Sequence, residues 1–174
     1  MQKINNIFLI GPMGVGKSTI GKQLAAKLGL EFKDSDWEIQ QRTGVDIPTI
    51  FEFEGEIGFR KREHAVIDEI TQMKGVVLST GGGVVLDANN RQNLASRGVA
   101  IYLHCSPEQQ HTRTQKDRNR PLLQIENPLA KLQELMAQRD PLYRQVADFT
   151  VSTEKRNAAS VTKEIIQLFA NKAG

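Results

Sequence analysis

The stretch GPMGVGKST, residues 11–19, lies between the apolar run Ile7-Phe8-Leu9-Ile10 and a helical pattern that continues to about Leu28. Gly11, Gly16, Lys17 and Ser18 fill every fixed position of G-x-x-x-x-G-K-[ST]. A strand before this motif and a helix after it are what its chemistry needs. Glycines let consecutive backbone N–H groups turn inward around phosphate oxygens, and the following helix adds the positive end of its dipole. Lys17 can reach the β- and γ-phosphates and Ser18 can ligate Mg²⁺. The alternative, a glycine-rich turn with a surface lysine, does not account for all four positions in this context. The stretch is read as a site for a nucleoside triphosphate with magnesium.

Outward from this loop, strand-like and helical segments alternate. Strands are expected at 7–10, 31–34, 76–79, 99–103 and 149–151. Helices are expected to about 28, near 36–43, 47–53, 57–73, 88–97, 107–115 and 128–144, and at the end of the chain, where Val161, Ile165, Leu168 and Phe169 recur at helical spacing. Ser106 before Pro107 reads as an N-cap, and Leu129, Leu132 and Met136 share one helical face. Strands separated by helices imply parallel pairing and a three-layer α/β/α domain. The 174 residues suffice for one such domain, and the net charge of +3 suits a small anionic ligand better than nucleic acid. The single cysteine, Cys105, leaves no internal disulfide and fits a reducing compartment. Met1-Gln2-Lys3 opens no signal-peptide pattern, and no apolar run approaches the roughly 20 residues that span a bilayer. The expectation is a cytoplasmic protein with no membrane partner.

Three further clusters bear on what is done with the triphosphate. In Asp34-Ser35-Asp36 two carboxylates stand where a strand ends, at the sheet edge where α/β proteins bind ligands. One could hold a magnesium-bound water or take a proton from an acceptor hydroxyl; equally, Asp36 could cap the helix that begins at Trp37. Arg60 follows Phe59, while Lys61, Arg62 and Glu63 read as a solvated face, which Arg60 could share. Gly81, Gly82 and Gly83 follow a strand directly, at an entropic cost that suggests close approach of a ligand to the backbone rather than a loose loop. No guanine-reading N/T-K-x-D motif is present, which argues against a GTPase.

Taken together, GPMGVGKST, DSD at 34–36, GFR at 58–60, TGGG at 80–83, RPLL at 120–123 and RDPLYR at 139–144 make the chain resemble the shikimate kinase family over nearly its whole length. The resemblance implies a P-loop fold of the nucleoside-monophosphate-kinase type, with a five-stranded parallel sheet in order 2-3-1-4-5. It implies a single domain over 1–174, with a substrate-binding region at about 34–62 and a mobile lid at about 112–124. The implied reaction is ATP-dependent phosphorylation of the 3-hydroxyl of shikimate, within aromatic amino-acid biosynthesis, by a monomer. Lys17, Asp36 and Arg120 are the implied catalytic residues. Gly14, Val15, Gly16, Lys17, Ser18, Thr19, Arg113, Arg120 and Arg156 would hold ATP, with Arg113 and Arg156 flanking adenine. Asp36, Arg60, Gly81, Gly82, Gly83 and Arg139 would hold shikimate, Arg60 and Arg139 gripping its carboxylate. Ser18 and Asp34 would serve Mg²⁺, Asp34 through water.

The third strand ends in Ser79, where an ordinary Walker B strand ends in aspartate, so direct magnesium ligation is expected from Ser18, phosphates and waters. Arg118 could share the phosphate role of Arg120. His64, His104 and His111 lack metal-ligand spacing. Phe51 and Phe53 could wall the acceptor pocket or belong to ordinary packing. Gluconate kinase and the nucleoside monophosphate kinases are rival readings that do not call for two arginines together with TGGG, and the intact Lys17, Asp36 and Arg120 argue against a third, a catalytically silent nucleotide switch.

Overall fold

Ile7, Phe8, Leu9 and Ile10 are all fully buried, and that decides the layering. Successive strand residues face opposite sides of a sheet. Phe8 and Ile10 join a core with Leu78, Tyr102, Ile67 and Leu94. Ile7 and Leu9 join a second core with Val77, Ile101, Ile20 and Ile165. A strand apolar on both faces must be covered by helices on both.

The computed structural model describes residues 5–115 and 120–173. The strands are β1 (Asn6–Ile10), β2 (Glu31–Asp34), β3 (Val76–Ser79), β4 (Val99–His104) and β5 (Phe149–Ser152). They form one sheet in the order β2-β3-β1-β4-β5 with every pair parallel. The helices are α1 (Lys17–Leu28), α2 (Ser35–Thr43), α3 (Ile47–Thr71), α4 (Ala88–Ser96), α5 (Pro107–Thr114), α6 (Pro128–Val146) and α7 (Ala158–Ala173). The core shared by α1 and α7 lies on one face of the sheet, and that shared by α2, α3, α4 and α6 on the other. Ser106 caps α5 as expected, its Oγ accepting from the Gln109 N–H at 3.2 Å. No helix among the described residues is long and apolar enough to cross a membrane.

Two local expectations are corrected and one is borne out. The cap of α2 is Asp34, not Asp36: Asp34 Oδ1 accepts from the Trp37 N–H at 3.1 Å, which leaves the Asp36 carboxylate free of that duty. The break expected between helices at 47–53 and 57–73 is present: they are the two arms of α3, parted at Gly55, whose φ of 70° no helix interior contains. The buried face of α6 runs through Leu132, Leu135, Arg139, Tyr143 and Val146, with Leu129 and Met136 only half-buried at its flank. Arg118 and the central part of the expected lid lie outside the described residues.

Candidate active site

The carboxyl ends of β1, β2 and β3 meet at one cleft of ≈ 290 Å³, whose lining includes Gly14, Lys17, Ser18, Asp34, Asp36, Gly82 and Arg120. Its floor is the loop between β1 and α1. Gly11, Gly14 and Gly16 have φ of 143°, 82° and 88°, conformations that only glycine adopts at little cost. Gly11 also has no room for a side chain, since a Cβ there would sit 2.1 Å from the Leu103 carbonyl oxygen. Val15 is buried beneath the loop, while Gly16 and Thr19 are exposed at its rim.

Lys17 Nζ is buried and donates to the carbonyl oxygens of Gly11 and Pro12, each at 2.7 Å. Burial, reinforced by the Arg120 charge, pulls its ammonium down to about 7, against the opposing pull of Asp36 and Asp34. Ser18 Oγ donates to Asp34 Oδ2 at 2.5 Å and lies 3.2 Å from Ser79 Oγ. Three hard oxygen donors thus converge beside the phosphate-binding loop, a donor set that fits magnesium. Ser79 stands where a Walker B aspartate would be, and Asp34 supplies the carboxylate from the neighbouring strand.

A second group of charges surrounds the turn Gly81-Gly82-Gly83. A Cβ on Gly81 would lie 2.9 Å from Asp36 Oδ1 and 3.1 Å from Glu63 Oε2. A Cβ on Gly83 would lie 2.3 Å from an Arg60 terminal nitrogen, and one on Gly82 would lie 3.6 Å from an Arg139 terminal nitrogen. None of the three has a positive φ; Gly81 and Gly83 make room for Asp36, Glu63 and Arg60, while a Cβ on Gly82 would meet only ordinary contact distances. Arg60 donates to Glu63 at 2.9 Å and to Glu56 at 3.2 Å. Arg139, from the buried face of α6, is only 4% exposed.

Asp36 Oδ1, Arg60 Nε, Glu63 Oε2 and Arg139 Nε are buried with no hydrogen-bond partner. Buried polar atoms are almost always satisfied, and four exceptions around one turn mark a place that a polar ligand completes. Burial, then the Asp34 charge, pushes the Asp36 carboxyl above the usual carboxylate range. Burial pushes Glu63 up to about 7, although Arg60 pulls the other way. Asp36 lines the cleft and Glu63 lies behind Gly81, outside that lining; perturbed groups gathered in this way point to a functional site.

Glu63 is the residue that sequence reasoning missed. The local sequence places it on a solvated face with Lys61 and Arg62, yet its side chain is 1% exposed. Its i, i+3 spacing from Arg60 was the available signal. Arg60 pairs with Glu63 and stands over Gly83, outside the lining of the cleft itself. Arg113 lines the cleft and ties its parts together, donating to the Gly14 carbonyl at 3.0 Å and to the Thr153 carbonyl at 2.8 Å. Arg156 is engaged elsewhere, with Glu164 at 2.6 Å and the Ser152 carbonyl at 2.9 Å, and does not line the cleft. Phe53 is 79% exposed, while Phe51 packs on Phe59 with centroids 4.9 Å apart.

A family model described as shikimate kinase matches residues 13–170. A shikimate kinase of Methylococcus capsulatus is 55% identical over 169 residues, which are 97% of this chain and 94% of that protein. One from Haemophilus influenzae is 53% identical over 175 residues, covering 100% of this chain and 97% of its own. The solved structure of the Acinetobacter baumannii shikimate kinase in complex with shikimate has a TM-score of 0.96 to this fold at 50% identity, covering 98% of this chain and 96% of that one.

Proposed function

The chain belongs to the shikimate kinase family, and on that premise we propose how its residues divide the work. It phosphorylates shikimate with ATP as the phosphate donor. The observation that carries the residue assignment is the ring of four unpartnered buried atoms at the glycine turn.

Shikimate carries one carboxylate, and the planar guanidinium forks of Arg60 and Arg139 match a carboxylate in a way an ammonium cannot. The two arginines come from α3 and α6, so together they fix the ring's orientation as well as its charge. Glu63 holds Arg60 in place from beneath. Backbone N–H groups of the glycine turn, chiefly that of Gly82, complete the contacts. The 3-hydroxyl then meets Asp36, whose raised basicity suits it to take the hydroxyl proton as that oxygen bonds to the γ-phosphorus and the bond from the phosphorus to the bridging oxygen breaks, releasing ADP.

Gly14, Val15, Gly16, Lys17, Ser18 and Thr19 hold the triphosphate. Lys17, freed from the two loop carbonyls, and Arg120 face the transferring phosphoryl group with two cations. Ser18, with Asp34 behind it, holds magnesium, which when bound supplies further positive charge against the phosphate oxygens. Arg113 stands at the nucleotide side of the cleft. The proposed enzyme is a cytoplasmic monomer of one domain, with the region 34–62 binding the acceptor.

A coupled ADP-release assay with shikimate, gluconate and CMP as parallel acceptors tests the reading. ADP release is expected with shikimate alone. Release with gluconate or CMP and none with shikimate would sink it.

A further inference from the structure

Helix α6 brings more to the site than Arg139. Tyr143 follows it by one helical turn, so both project from the same face. Tyr143 is fully buried. Its ring lies against Tyr102 with centroids 4.8 Å apart. Tyr102 is itself held by donation from its hydroxyl to Asp140 at 2.7 Å. So braced, the Tyr143 hydroxyl donates to the Gly82 carbonyl oxygen, and the Arg139 cation lies beside the phenol. On the other side of the turn the Gly81 N–H donates to the buried Ser35 Oγ at 3.2 Å.

Three glycines in a row would otherwise sample many conformations. Here two side-chain hydroxyls from different elements pin consecutive residues of the turn. In a trans peptide the C=O and the next N–H point in opposite directions. Fixing the Gly82 carbonyl therefore fixes the aim of the Gly83 N–H, and it holds the Gly82 backbone against Arg139.

We propose that Tyr143 is a positioning residue for the acceptor: it sets the glycine turn and Arg139 in the geometry that receives shikimate, while touching neither substrate. This rests on shikimate being the acceptor. Pro12 and Met13 of the nucleotide loop line the same small cavity as Tyr143 and Arg139, but the Tyr143 hydroxyl bonds the glycine turn and not that loop, so its effect falls chiefly on the acceptor. A residue that merely stabilised the fold would weaken both substrates alike.

The test is Tyr143→Phe, which keeps the ring stack and deletes the hydroxyl. Shikimate KM or Kd should rise roughly tenfold, one neutral hydrogen bond's worth, with ATP binding changed less than twofold. In an Arg139→Ala background the same substitution should cost distinctly less, because the two act as a unit. Equal loss for both substrates, unchanged shikimate affinity, or strict additivity with Arg139→Ala would overturn the proposal. Ser35→Ala releases the turn from its other side and serves if Tyr143→Phe does not fold. A selective loss of shikimate affinity is expected there too, and none would overturn the role given to a pinned turn. Wild-type protein that fails to bind shikimate at all would instead overturn the acceptor assignment, and this proposal with it.

Discussion

Lys17 holds an ammonium pulled down to about 7 before any nucleotide arrives. Phosphate charge at the same atom favours the protonated form. ATP binding at pH 8 should therefore draw a proton from solution, and affinity should weaken as pH rises through 7. Calorimetry in buffers of different ionisation enthalpy measures the uptake, and none at pH 8 would contradict the placement of Lys17 on the phosphates. Lys17→Ala should keep its fold by circular dichroism and lose about 10²–10³ in turnover, the usual effect of deleting one preorganised charge stabiliser. Arg139→Ala should cost about 1.5–3 kcal/mol of shikimate binding, the range for a hydrogen bond to a charged group, with ATP binding intact; lysine at 139 should rescue poorly. Arg120→Ala should do the reverse. Separate binding titrations of each substrate to each variant distinguish the two, and an Arg139→Ala variant with normal shikimate affinity would refute the assignment. Glu63 gives a stability test. Its folded carboxyl titrates near 7 against an ordinary 4.5, so its stabilising contribution is complete below 4.5 and is lost as pH rises through 7. Glu63→Gln should match wild type in unfolding midpoint at low pH and exceed it at pH 8, by up to about 3 kcal/mol. A constant offset across that range would mean the carboxyl is not desolvated.

At the scale of elements, the two glycine-rich segments are glycine-rich for different reasons. In the loop between β1 and α1 the backbone itself demands glycine, and Gly11 is further blocked by the β4 backbone. Gly11→Ala should destabilise the whole fold by roughly 2–5 kcal/mol, combining a strained φ with a backbone clash. In the turn after β3 the backbone is ordinary and the obstacle is the Arg60 guanidinium. Gly83→Ala should displace that flexible group and leave the fold standing, so its loss should appear in shikimate affinity and hardly in the unfolding midpoint. Denaturant titration beside a shikimate titration reads both. Equal stability losses in the two variants would mean that the distinction is wrong.

For the whole molecule, ligands that bind only the folded chain stabilise it by mass action. Saturation at 100 times Kd adds about 2.7 kcal/mol, which for a domain of this size raises the unfolding midpoint by roughly 5–10 °C. Shikimate and magnesium-ATP should each produce such a shift, and gluconate and CMP should not. A shift with gluconate but none with shikimate would point to a different acceptor. The chemistry sits where it does because β1, β2 and β3 are parallel and end together, so the residues following each strand, 11–19, 34–36 and 80–83, arrive at one edge.

The nucleotide half of the site was legible in the sequence because it is local: nine consecutive residues supply the loop, the helix start, the lysine and the hydroxyl. The alternation of elements was legible for the same reason, since apolar periodicity is a property of short windows. The resemblance supplied the strand order and the names of the distant arginines. What neither supplied was burial among charged residues. Glu63 sits in a run of charges that any local reading gives to solvent, and it is buried because Arg60, Asp36 and the glycine turn close over it from three parts of the chain. Asp34 and not Asp36 caps α2 because β2 pairs through Asp34 and the helix begins one residue later, which frees Asp36 for the cleft. Tyr143 carries no local mark of a role within RDPLYR, and only the approach of α6 to the glycine turn makes its hydroxyl matter. Sequence decides which groups a segment can offer. Which of them lose their water, and therefore shift in charge and act, is decided by what the folded chain packs against them.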